Sequence, residues 1–589
     1  MNVKAILILC CITLALFGRT LAQPAAKPFI KLTEPSKENN NVSAARQFII
    51  GSVTKNSSLM INAQRVKVYS TGAFAWELNL SEGDTAFTIV AISPEGKSIS
   101  KRIHYNLRFP KPAEPVKDFG IESIQTFPEG NLVLMPGDAI QFKVKAFPGA
   151  NMSTLNGTVL YELPVTQTNG MTGIYQGTYV VQSSDSFFAS RFQVTLKSAD
   201  GQEISKATRD SFSVMSSLAS DVAITKGRLA HLEYGLGDDR LGGAKIGYLD
   251  SLIPLKIIGK VGSHYKIRLA KSRTAYIPDE HVTLMAKGSF EPSSLTGKWN
   301  VYGDSVYDYV NVNLFSRLPY QSFQLNDPSR IVVDVFGATN NTNWITQMES
   351  VKEIERVWYE QVADDIFRIN IQLKHRQHWG HQVSYRGNTL VIKIKQQPKN
   401  LSINKMVIAL DAGHGGTNTG AGSPTGVLEK TLTLAVTLKL QKLLEAQGAT
   451  VIMTRNKETF FDNKERILFY RDSLPDLLLS IHLNSSADPI RVGGTSTFYR
   501  YIGFRPLSHA IYKRMLELGL SEYGNNSSFN FMLNSPIEYP NALVEALFLS
   551  NPEEEEKILN ETFQQQMAEK IAQGIKDFLE GCEEVQGNK

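Results

Sequence analysis

KMVIALDAGHGG, residues 405–416, decides the fold of the C-terminal third of the chain. Its mostly apolar first half reads as a buried strand, and its Gly-rich tail reads as a loop leaving that strand. EKTLTLAVTLKLQKLLEAQG (429–448) then spaces Leu432, Ala435, Val436, Leu440 and Leu443 as a helical stripe, with Gly448 as the stop. ATVIMTR (449–455) is the next strand, a helix follows around ERILFYRDS (465–473), and DLLLSIHLNSS (476–486) is a further strand. GGTSTFYR (493–500), a helix from about Pro506 to Leu518, the strand NALVEALFLS (541–550) and a long terminal helix complete the run. Strands alternating with helices predict an α/β domain over 400–582, its mostly parallel sheet covered by helices on both faces.

Upstream the period shortens to two, and the chain as a whole is multidomain, with several all-β modules ahead of the α/β domain. Residues 46–109 alternate apolar and polar in SLMINAQRVKVYSTGAFAWELNL and DTAFTIVAISPEGKSISKRIHY, which predicts a small β-sandwich. The segment resembles bacterial Ig-like modules, a likeness carried by Gly72, Ala73 and Phe74. Pro110, Pro112 and Pro115 mark a linker, and 116–215, broken at Gly137-Asp138 and Gly201, reads as a second sandwich. GRLAHLEYGL, SLIPLKIIGKVGSHYKIRL and TAYIPDEHVTLM within 216–288 resemble a bacterial SH3-like barrel. SRIVVDVFGA and GNTLVIKIKQ within 292–397 resemble an AMIN-type domain. Residues 23–45, rich in Ala, Pro, Lys and Asn, read as a linker.

The first 22 residues have the grammar of a secretory signal. Lys4 gives a positive start, Ala5 to Phe17 an apolar run too short to span a bilayer, and the run ending at Ala22 the small residues of a cleavage site. The expectation is export to the periplasm or cell envelope. Without Lys4 and Arg19, which this segment carries along with no acids, the net charge falls from +5 to +3. That is too weak a positive balance to argue for nucleic-acid binding. Cys10 and Cys11 leave with the signal, so Cys582 stands alone and no intrachain disulfide forms.

The chemistry sits at strand ends. His414 follows the first strand of the α/β domain, and His482 and Glu545 fall near the ends of two others. Open α/β sheets gather ligands outside the carboxyl ends of their strands, so these groups are expected to converge. Glu429 joins them from the first turn of the helix after the loop. Two imidazoles and a carboxylate suit a catalytic zinc, because they leave a fourth position for water. A carboxylate outside the ligand set must then carry the proton.

D-A-G-H-G-G at 411–416, L-E-K at 428–430, S-I-H-L-N at 480–484 and V-E-A-L-F-L-S-N at 544–551 resemble the motifs of the zinc-dependent N-acetylmuramoyl-L-alanine amidases, in their order and spacing. The resemblance covers roughly 405–580. It implies one zinc per catalytic domain on His414, Glu429 and His482, with Glu545 as the catalytic acid and base. It implies peptidoglycan as the partner and substrate, cut between N-acetylmuramic acid and the L-alanine of the stem peptide. Asp411, Ser480 and Asn484 are candidates for orienting the ligands from behind, solvated turn polarity being the other reading. Arg455 is structural or faces substrate. The β modules are expected to target the enzyme or meet an envelope or divisome protein.

Two rivals remain at this point. One is a zinc hydrolase of another wall amide, and the other is an inactive wall-binding or regulatory protein. Leu547 stands where many relatives have Gly, and GNNSSFNFMLNSPIEYP (524–540) lacks their usual Arg-Gly, which bears on the shape of the cleft. His482 is followed by Gly493 and Gly494 without the long insertion that blocks some division amidases, so no self-blocking helix is expected. Asn418 breaks a dinucleotide fingerprint at Gly413 and Gly415. His375, His378 and His381 are expected on a surface turn.

Overall fold

The computed structural model describes residues 27–109, 114–154, 157–215, 221–237, 242–527 and 530–582. The expected signal segment, with its cleavage position at Ala22, lies outside the described residues, as do Pro110 and Pro112. Among the described residues no helix is long and apolar enough to cross a membrane.

Six strands build the C-terminal sheet: β1 (Val407–Ala412), β2 (Thr450–Met453), β3 (Leu477–Asn484), β4 (Thr495–Tyr499), β5 (Glu522–Ser527) and β6 (Asn541–Phe548). Their spatial order is β2-β1-β3-β6-β4-β5. The β1–β2, β1–β3, β3–β6 and β4–β5 ladders are parallel, and β4–β6 is antiparallel, so β4 and β5 run against the rest. The helices are α1 (Glu429–Ala446), α2 (Asn463–Ser473), α3 (Arg505–Leu516), α4 (Pro552–Ile558) and α5 (Glu561–Gly581).

The period of two in the strands divides the core. Ile408, Leu410, Leu477, Leu479 and Ile481 pack with Leu432, Val436 and Leu440 of α1 and Met567, Ile571 and Ile575 of α5. Ala409 and Leu478 point the other way, onto Ile467 and Tyr470 of α2. Each Leu or Ile so buried contributes roughly 1.5–3 kcal/mol. Helices therefore cover both faces, as the sequence predicts. α2 is started by a capping box between Asp462 and Glu465, and Gly448, at φ +90°, ends the turn after α1. Cys582 is buried at the end of α5, and burial pushes its thiol up to about 12. It is no nucleophile at neutral pH.

The stretch 23–45 is not a linker throughout. It holds strands Ile30–Glu34 and Asn39–Val42, the first paired with Arg46–Val53 and the second with Ser98–Leu107. Ile30, Leu32 and Val42 lie against a core of Ile49, Phe74, Ile89, Ile103 and Leu107, between a three-stranded and a five-stranded sheet. Next comes a seven-stranded sheet over Ile121–Ala207, with its own core. Leu132–Leu134 leaves it to pair with Pro254–Val261, so the second and third modules share a ladder. One continuous core then joins the third module to the two sheets that span Ser294–Lys395.

The β modules pack on the α/β domain. Trp379 is buried with its ring 5.8 Å from Phe578, and a side chain at Gly380 would strike the Glu538 carbonyl. This corrects the surface-turn expectation for the three histidines. His378 and His381 are 1% and 2% exposed. Each histidine has its own partner: His375 Nδ1 lies 2.8 Å from Glu353, His378 Nε2 3.0 Å from the Leu325 carbonyl, and His381 Nε2 3.0 Å from Ser322. Lys395 bonds Asp476, and at the other side of the domain Arg491 pairs with Glu77 of the first module.

Candidate metal centre

β1 delivers the loop that carries His414. The loop's carbonyls are held by two buried arginines. Arg455 donates to Ala412 and Gly413 at 3.0 and 2.7 Å, and Arg466 donates to Ala412 at 2.9 Å and to His414. Arg466 also pairs with Asp411 at 2.7 Å, both side chains being almost fully buried. His414 itself sits at φ +61°, a left-handed conformation that costs a non-glycine residue energy and persists only where its surroundings enforce it. Here four arginine-to-carbonyl bonds do so.

Helix α1 begins at Glu429 without a side-chain cap, its N-cap being the apolar Leu428, and the Glu429 carboxylate is turned inward. Its oxygens accept from the Ala421 N–H at 2.8 Å and the Leu483 N–H at 3.0 Å. They also face both imidazoles, with Glu429 Oε1 3.1 Å from His414 Nε2 and 3.1 Å from His482 Nδ1. Donor atoms of His414, Glu429 and His482 all lie within 4.8 Å of one another. Among the described residues no other group of His, Cys, Asp and Glu meets that spacing.

Two glycines make the approach fit. A Cβ on Gly413 would lie 2.5–2.8 Å from the His482 ring, and one on Gly420 would lie 2.4 Å from Glu429 Oε2. Electrostatics are those of a cation site. Burial raises the Glu429 pKa, yet the two imidazoles more than offset it and hold the carboxyl well below its usual range. Burial lowers the His482 pKa, and Glu429 and Glu545 more than offset that too. Paired carboxylates facing paired imidazoles, with three donors this close, fit a borderline divalent ion such as zinc.

Glu545 lines the same cavity of about 480 Å³ as these three residues. It stands on β6 directly across the ladder from His482.

A family model described as N-acetylmuramoyl-L-alanine amidase matches residues 408–577, and one described as the AMIN domain matches 300–396. The probable cell wall amidase LytH of Staphylococcus aureus is 30% identical over 202 residues, which are 34% of this chain and 67% of that protein. The chain belongs to the N-acetylmuramoyl-L-alanine amidase family. The amidase AmiC of Neisseria meningitidis is also similar, 26% identical over 368 residues, or 47% of this chain and 88% of AmiC. An N-acetylmuramoyl-L-alanine amidase of solved structure from Clostridium difficile 630 is 32% identical, covering 30% of this chain and 98% of its own, with a TM-score of 0.29. As a member of this family the protein is a peptidoglycan hydrolase (EC 3.5.1.28), and the family is zinc-dependent. An amidase domain preceded by an AMIN domain puts its work at the cell envelope.

The amidase domain distributes the remaining candidates unevenly. Asp411 touches neither imidazole; it accepts from Ser480 at 2.8 Å and holds Arg466, so both anchor the loop. Asn484 Oδ1 accepts from the Ser485 N–H, a turn contact. Arg455 is 2% exposed and binds carbonyls. The group that faces an imidazole of the cluster from behind is Asn418, whose Oδ1 lies 2.9 Å from His414 Nδ1. An N–H there fixes the tautomer that turns the Nε2 lone pair toward Glu429 and His482. In the sequence Asn418 appears only as the residue that spoils a nucleotide-binding pattern. Asn four residues after His in a Gly-rich loop is the signal that was available. Between β3 and β4, residues 485–494 form turns and contain no helix.

Proposed function

We propose that His414, Glu429 and His482 hold one zinc ion, and that Glu545 moves the proton when the amide between N-acetylmuramic acid and L-alanine is hydrolysed. The observation that carries this reading is the convergence of three donor atoms within 4.8 Å in the cavity that Glu545 also lines. Bound zinc would supply a Lewis acid for the carbonyl and would bring the pKa of a water toward neutrality.

The rest falls to the chain's own residues. Glu545 accepts the proton of the attacking water as its oxygen bonds to the lactyl carbonyl carbon. It returns that proton to the alanine nitrogen as the C–N bond breaks. Glu429, held by two backbone N–H groups, keeps both imidazoles facing inward. Asn418 fixes the His414 tautomer, and the Asp411–Arg466 pair keeps the 412–414 loop in its left-handed turn. Asp411 and Ser480 thus act on the site through the loop, while Asn484 lines the cavity and caps a turn there.

The substrate chain of events begins outside the cytoplasm. The protein is exported behind a leader that ends near Ala22, and its β modules, the Ig-like, SH3-like and AMIN units, place it on the envelope or against a protein partner there.

The deciding experiment is digestion of defined muropeptides by the full-length chain, with and without chelator, read by mass spectrometry. The expected products are free glycan and a peptide with an L-alanine N-terminus, lost on chelation and restored by zinc. Cleavage at another wall amide, or none, would overturn the reading in favour of its rivals.

A further inference from the structure

One wall of the catalytic cavity comes from a different module. Lys245, in the strand Lys245–Tyr248 ahead of the AMIN unit, lines the cavity together with His414, Glu429, His482 and Glu545. Its backbone is tied to the amidase domain from both sides. The Lys245 N–H donates to Asn530 Oδ1 at 3.2 Å, and the Lys245 carbonyl accepts from Arg500. Asn530 in turn donates to the Gly243 carbonyl at 2.5 Å. The lysine is therefore positioned by the catalytic domain, although it does not belong to it.

Its ammonium group is not spent on that attachment. Two other cations at the junction of these modules are paired, Arg228 with Asp472 and Arg471 with Glu538, whereas Arg500 donates to Ser535 and to the Lys245 carbonyl. Among the described residues Lys245 makes no ion pair, and its charged neighbours Glu233 and Arg500 act on it in opposite directions. The side chain is half-buried, and burial lowers its pKa. A partly desolvated cation with no ion-pair partner among the described residues gains from an anion brought to it.

The substrate has its charges on one side only. Once the lactyl carboxyl is tied up in the scissile amide, the muramoyl half is uncharged, whereas the stem peptide carries carboxylates. We infer that Lys245 is a specificity residue lent to the catalytic cleft by a β module: its ammonium pairs with a carboxylate of the stem peptide and sets the direction in which the peptide lies. This rests on the amidase reaction proposed above.

The test uses the full-length chain and two matched muramoyl-peptides, one with free peptide carboxylates and one with these converted to carboxamides. For the wild type, KM for the free acid should be lower by about tenfold or more, the range of a charge-assisted hydrogen bond, with kcat alike. Lys245→Met, which keeps the aliphatic stem, should raise KM for the acid by that factor and leave the carboxamide unchanged. Lys245→Arg should restore much of the preference. Zinc content should be the same in all three proteins. Equal KM values for both substrates with the wild type would overturn the role of Lys245 without any variant, and so would a preference that survives in Lys245→Met. Cleavage of neither substrate by the wild type would remove the amidase reaction, and the Lys245 role with it.

Discussion

His482 on β3 and Glu545 on β6 are register partners in a parallel ladder, so their side chains leave the same face of the sheet side by side. That relationship puts a carboxylate beside the three-donor cluster without making it part of the cluster, since the clustered donors come from His414, Glu429 and His482. A proton carrier separate from the ligands is what amide hydrolysis at such a centre requires.

Glu545→Gln keeps the shape and removes the titratable oxygen. Hydrolysis of a defined muropeptide should fall by roughly 10²–10⁴-fold in kcat. Zinc content, measured by elemental analysis, should stay at the wild-type level. Near-normal turnover would take Glu545 out of the chemistry.

Asn418 faces His414 from behind, at 2.9 Å from Nδ1. Asn418→Ala should weaken zinc affinity by about 10–100-fold, as loss of an orienting partner does at other metal sites. Competition with a chromophoric chelator measures this directly, and unchanged affinity would show that the loop alone holds the ring.

Arg466 is buried against Asp411 and binds two loop carbonyls. Arg466→Met leaves the Asp411 charge buried without its partner, and should cost about 3–5 kcal/mol of stability. Urea unfolding followed by fluorescence is the measurement. A loss below about 1 kcal/mol would mean that the pair is not what holds the loop.

His378 and His381 are buried where the AMIN unit meets the amidase domain, and burial lowers their pKa values to about 4 and about 3. In the unfolded chain both return to the ordinary value of 6.5. Below that pH the unfolded chain binds protons that the folded chain excludes, so their contribution is full above pH 6.5 and is lost as the pH falls toward the folded values. Between pH 7 and about 5.5 each should cost on the order of 1 kcal/mol. The melting temperature should drop over that range, and His378→Gln should flatten the drop. A melting temperature independent of pH in both proteins would contradict the buried, neutral state.

Much of this molecule is legible in its sequence, and the failures have a common cause. The change from a two-residue to a helical period marks where β modules give way to the α/β domain, because Leu432, Val436 and Leu440 must share one face of α1. His414 stands out because it follows an apolar strand, and His482 and Glu545 because they interrupt apolar strands, where polarity has no structural reason to be. What the sequence hides is contact between modules. Nothing local in H-W-G-H tells that Trp379 will pack on Phe578, so His378 and His381 read as exposed. Nothing near Lys245 tells that Asn530, far along the chain, will seat it in the cleft. The strand at Ile30 was masked differently, by the Pro, Lys and Asn around an alternation only a few residues long.

The most direct measurement is the zinc content of the purified full-length chain beside His414→Ala, Glu429→Ala and His482→Ala, each checked for folding by its melting curve. One zinc per chain in the wild type, and its loss in every folded variant, is the expected result. A folded wild-type chain that takes up no zinc at neutral pH, or single variants that keep it, would contradict the metal centre on which the hydrolysis depends.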